Sequence, residues 1–129
     1  MCLHGFYWNW ERVKELKVSG KTIKAYKLLS VRPGETILRS LYKQKVIWRV
    51  GKIKTSDRKG KSSTIPTPEE KRLDKIFKGL HFYRTREAAR QENYGDQIWQ
   101  VEINPKDLVT VGDYDQLVAH KAKLIRRVR

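Results

Sequence analysis

The stretch of chain that most constrains the fold runs from residue 79 to residue 103. It closes on Ile98-Trp99-Gln100-Val101-Glu102-Ile103. Successive side chains of a strand point to opposite faces, so Trp99, Val101 and Ile103 share one face and Gln100 and Glu102 the other. The spacing predicts a half-buried strand over 97–103, with the first three residues in the core and Glu102 pointing outward. It opens on Gly79-Leu80-His81-Phe82-Tyr83, which reads as a short strand over 80–83. Between the two strands, Thr85 is placed to cap a short helix over 86–93. Ala88 and Ala89 are its small packing residues, and Tyr94-Gly95 ends it.

The same signals organise the rest of the chain. Asn9 caps a predicted helix reaching about residue 17, with Val13 and Leu16 inward and Gly20 as its stop. Phe6, Tyr7, Trp8 and Trp10 precede or open it. So many aromatics at a terminus either fold back on the core or form a stacking or partner surface. Residues 23–31 read as a strand, and Arg32-Pro33-Gly34-Glu35 as a turn in which Pro sets one corner and Gly permits a positive φ. Strands over 36–41 and 45–53 follow as a meander. In the second, Val46, Trp48 and Val50 share one face and Lys45, Ile47 and Arg49 the other. Residues 54–66 form a basic Gly/Ser/Pro loop without apolar anchors, expected to be mobile. Thr67, Pro68 and Glu70 then open a helix with Leu73, Ile76 and Phe77 inward, stopped by Gly79. A turn at residues 104–107 leads to a strand over 108–111. After a polar loop, residues 121–129 alternate, with Ala122, Leu124 and Val128 on one side and Lys121, Lys123, Arg127 and Arg129 on the other. The expectation is α+β: a single domain over 1–129, with a mostly antiparallel, bent sheet and two or three short helices.

Charge is distributed unevenly. The chain has 129 residues and a net charge of +15. Residues 21–61 carry thirteen bases against two acids, and residues 121–129 five bases and no acid. Residues 62–120, by contrast, hold eight bases and ten acids. A field of one sign draws polyanions. Lys and Arg gain affinity for nucleic acid by releasing counterions from phosphates. The expected contact residues are Lys43, Lys45, Arg49, Lys52, Lys54, Arg58, Lys59 and Lys61, joined by Lys121, Lys123, Arg127 and Arg129. Trp48 lies among them. It is read as core, with base stacking as the alternative.

Other classes find little support. No apolar run reaches the roughly 18 residues of a membrane span, and residues 1–5 do not resemble a secretory leader. The one cysteine, Cys2, allows no internal disulfide and no Cys-rich zinc site. An intracellular, cytoplasmic location is the expectation. His4, His81 and His120 share no ligand spacing with acids, so no metal site is expected. Neither a phosphate-binding glycine loop, a dinucleotide fingerprint nor a nucleophile elbow is found.

Two resemblances enter here. Gly79-Leu80-His81-Phe82-Tyr83, Glu87-Ala88-Ala89, Tyr94, the 99–103 strand and Ala25-Tyr26-Lys27 resemble uncharacterised small proteins of phages and mobile elements. That likeness implies a host-interaction or anti-defence role. The same Gly-aromatic strand followed by a helix is similar to the ADP-ribosyltransferase fold. That resemblance implies that Tyr94 stacks on nicotinamide and His4 binds the ribose of NAD. The fold's late-strand glutamate has no counterpart, because residues 121–129 hold no acid. The favoured expectation is therefore a non-enzymatic binding protein, without a cofactor, that engages nucleic acid or a host nucleoprotein complex. The alternative is an ADP-ribosyltransferase-like protein acting on or binding NAD or a related nucleotide.

Overall fold

In a computed structural model, the structure describes residues 10–40, 46–55, 80–91, 97–112 and 116–129. Among them, nine strands join one sheet, and every pairing is antiparallel. In chain order the elements are α1 (Trp10–Ser19), β1 (Ile23–Ser30), β2 (Leu38–Ser40), β3 (Ile47–Trp48), β4 (Ile53–Thr55), β5 (Leu80–Tyr83), α2 (Arg86–Gln91), β6 (Gln97–Ile103), β7 (Leu108–Gly112), β8 (Gln116–Ala119) and β9 (Lys121–Arg127). The spatial order is β4-β9-β6-β1-β5-β8-β7, and β2 bridges β1 and β3. The α+β class and the antiparallel sheet agree with the sequence. The predicted helix after Thr67 lies outside the described residues, as do Phe6, Tyr7 and Trp8.

The sheet buries both faces because β1 and β6 are central. Leu28 and Leu29 are neighbours on β1 and point to opposite sides, and both are buried. Leu29 belongs to the larger core, with Ala25, Trp48, Phe82, Val101, Ile103, Leu117 and Leu124. Leu28 belongs to a smaller one with Tyr83, Ala89 and Ile98, closed by α2. Thr85 caps α2 as expected: its Oγ1 accepts from the Ala88 amide at 3.1 Å. On the larger-core side, α1 sends in Val13, which is fully buried, and packs against β7. Gly20 follows at φ 66°, the left-handed stop that a glycine adopts without a Cβ clash. In the last turn of α1, burial lowers the pKa of Lys17, while nearby Asp107 pulls it back up.

The 32–35 turn forms as read: the Glu35 amide donates to the Arg32 carbonyl at 2.9 Å, and Gly34 sits at φ 77°. The predicted strand over 45–53 does not persist. It stops at Trp48, where the Lys52 amide donates to the Arg49 carbonyl at 3.1 Å and Gly51 takes φ 75°. The apolar alternation of Val46, Trp48 and Val50 ends inside this reversal, which leaves Val50 55% exposed and sends β4 to the far edge of the sheet. Lys54 and Thr55 are accordingly strand, not loop; residues 56–66 lie outside the described set.

Three further expectations are corrected. Residues 116–119, read as polar loop, are strand β8, buried at all four positions. A strand covered on both sides shows no alternation to read. Trp99 lies on the larger-core face but is half-buried, and Gln100, expected to be outward, is 7% exposed. Finally, Val128 does not share a face with Ala122 and Leu124. Val101 pairs with Leu124, but Gln100 pairs with Arg126, so Ile125 is an extra residue in β9. Such a bulge exchanges the faces of everything beyond it, and Val128 packs in the smaller core.

Candidate nucleic-acid interface

The long-range pairing of β4 with β9 builds the site. Ile53 lies opposite Lys123, Lys54 opposite Ala122 and Thr55 opposite Lys121. Two basic segments separated by some 65 residues of chain thus become neighbours in one sheet edge. The preceding turn is tied to the same strand: the Gly51 amide donates to the Leu124 carbonyl at 2.7 Å. Segments 46–55 and 116–129 together hold eight Lys and Arg residues and not one Asp or Glu.

Register decides which of these cations share a face. On the side that carries the smaller core, one row across the sheet reads Ile53, Lys123, Glu102, Lys24, from β4 to β1. The next row toward α2 reads Arg126, Gln100, Tyr26, Tyr83. Lys121 precedes Lys123 on the same side of β9. The bulge is what aligns Arg126 with Lys121 and Lys123; in a regular strand Ile125 would take that place. Arg127 instead lies opposite Trp99 on the other face, along with Lys27. The sequence reading grouped Arg127 with Lys121 and Lys123, and the bulge overturns that grouping.

Lys24, Lys121, Lys123 and Arg126 are exposed, and among the described residues none of them is in an ion pair. Gln100 accepts a hydrogen bond from Arg126 Nε at 3.3 Å, which fixes the guanidinium against the sheet. Tyr26 is half-buried against the smaller core, at the boundary between the part of this face that α2 covers and the open part. Beyond the bulge the cations continue. Arg86, Glu87, Arg90 and Arg129 line an open cleft of about 760 Å³. There Arg86 donates to the Val128 carbonyl at 2.9 Å, and Arg90 pairs with Glu87 at 2.8 Å.

Of the sequence-predicted contacts, Arg49, Lys52, Lys54, Lys121 and Lys123 are brought together at the β4–β9 edge, with Arg129 at the cleft. Lys54 is half-buried on the larger-core face. Lys43, Lys45, Arg58, Lys59 and Lys61 lie outside the described residues. Sequence reading missed Arg126, Lys24, Arg86 and Arg90. Lys24 was legible, since it alternates with the buried Ile23 and Ala25; Arg126 was not, since no sequence pattern marked the bulge. Trp48 is core, 2% exposed, so base stacking there is ruled out.

His4 and Tyr94, the nucleotide-binding pair of the alternative, also lie outside the described residues. Glu102 is half-buried between Lys24 and Lys123 in register. Among the described residues, no three His, Cys, Asp or Glu side chains cluster to hold a metal ion. Nor is any helix there long and apolar enough to cross a membrane. Comparison with protein-family models, curated proteins and solved structures finds no match.

Proposed function

We propose that this protein binds nucleic acid through the basic face that β9 presents beside β4. The observation that carries this reading is that β9, paired with β4 near the sheet edge, leaves Lys121, Lys123 and Arg126 exposed on one side, and among the described residues none of the three is in an ion pair. Lys121 and Lys123 stand at alternate residues, about 6.7 Å apart along the strand, and the bulge brings Arg126 into line with them, so the three present a row of phosphate contacts. Exposed cations at that spacing repel one another, a cost that a polyanion relieves.

The test is fluorescence anisotropy with a labelled oligonucleotide over a series of salt concentrations. Each phosphate neutralised contributes roughly 0.7–0.9 to the log–log slope of affinity against salt. Replacing Lys121, Lys123 and Arg126 together by Gln should therefore flatten the slope by about 2 to 3. Absence of binding at low salt, or an unchanged slope in the triple variant, would refute the proposal.

A further inference from the structure

We propose that the ligand is single-stranded, with its phosphates running along β9 toward the arginine cleft and an unpaired base stacked on Tyr26. The inference rests on the nucleic-acid reading and adds the class of strand. Its basis is the layout of the face. Among the described residues the cations of β9 form one line: Lys121, Lys123 and Arg126 follow the strand, which leads on to Arg129 and the cleft it shares with Arg86, Glu87 and Arg90, while Lys24 stands apart on β1. A duplex offers two phosphate rows across a groove and hides the faces of its bases. One row beside an aromatic is what a single strand needs.

Tyr26 stands on that side of the line. It lies two strands in from β9, about 10 Å at the usual strand spacing, in the same row as Arg126 and Gln100. Between Tyr26 and the β9 cations the sheet carries only Gln100 and Glu102 on this face. Gln100 is only 7% exposed, its Oε1 taken up by Arg126 Nε, and Tyr26 beyond it is half-buried. Glu102 disfavours phosphate at its own position, which keeps the backbone on β9 and turns the bases inward over β6. The track from Lys121 to Arg129 spans about 25 Å, at some 3.3 Å per residue. That length suits a short site, at the lower end of the 4–16 nucleotides usual for single-strand grooves.

The experiment compares a labelled single-stranded DNA 12-mer of mixed sequence with its own duplex at moderate salt. The single strand should bind at least tenfold more tightly. Tyr26→Leu should weaken it by about five- to a hundredfold, the effect of losing one stacked base, while the salt slope stays unchanged. Tyr26→Phe keeps the ring and should bind as the unaltered protein does. Because Tyr26→Leu also touches the smaller core, the unaltered protein provides a second arm. A single strand carrying 5-bromouracil, irradiated in complex, should crosslink to the peptide that contains Tyr26. Equal or tighter duplex binding, or crosslinks confined to other peptides, would overturn the single-strand inference and leave the basic-face proposal standing. Failure of both strand forms to bind would overturn both.

Discussion

Trp48 holds a two-residue strand in place, and its removal should be among the most costly single changes in the described fold. The indole is 2% exposed. Its Nε1 donates to Ser40 Oγ at 2.8 Å, and its ring meets Phe82 edge-on, with centroids 6.0 Å apart and planes at 84°. A buried Trp covers roughly 150–250 Å². At about 25 cal/mol per Å² that is some 4–6 kcal/mol, an upper bound because the unfolded chain is already partly collapsed. Trp48→Ala should thus cost about 3–5 kcal/mol, as for other large-to-small aromatic deletions. With a urea m-value near 2 kcal/mol/M, the unfolding midpoint should fall by about 2 M. Trp48→Phe keeps most of the apolar area but cannot donate to Ser40, so it should cost about 1–2 kcal/mol. A double-mutant cycle of Trp48→Phe with Ser40→Ala should then show a coupling of about 0.5–1.5 kcal/mol. Urea unfolding followed by far-ultraviolet circular dichroism measures the unaltered protein and all four variants. A loss below about 1 kcal/mol for Trp48→Ala would mean that β3 does not pack as described.

Three further outcomes are expected. Trp99→Ala should cost about 2 kcal/mol, less than a fully buried aromatic, because the ring is half-buried and its Nε1 already serves the neighbouring Gln97 at 3.0 Å; thermal or urea unfolding measures it, and a loss above about 4 kcal/mol would contradict the partial exposure. Thr110 is fully buried on β7, and among the described residues its hydroxyl has no hydrogen-bond partner, so Thr110→Val should stabilise the protein by about 1 kcal/mol, and a clear destabilisation would point to an uncounted bond. Arg126→Gln should weaken oligonucleotide binding more than Arg127→Gln, since only Arg126 shares the face of Lys121 and Lys123; equal losses, read by anisotropy, would refute the bulge's role in aligning the site.

Local elements were legible where one rule governed them. Val101 and Ile103 are buried as their alternation required, α1 ends at Gly20, Thr85 caps α2, and Arg32-Pro33-Gly34-Glu35 turns. In each case the deciding contact lies within a few residues, so composition and spacing carry it. The basic character of residues 46–55 and 121–129 was equally plain. Only the tertiary structure decided what that charge became. The reversal at Gly51 takes in Val50, which the alternation in the sequence assigned to a strand, and β8 is invisible because both its faces are covered. The pairing of β4 with β9 depends on two segments meeting across the whole chain. The extra residue at Ile125 then moves Arg126 onto the open face and Arg127 off it. Periodicity assigns faces only while a strand stays regular. Where an insertion shifts the register, the partner strand sets the face, and no local pattern records it.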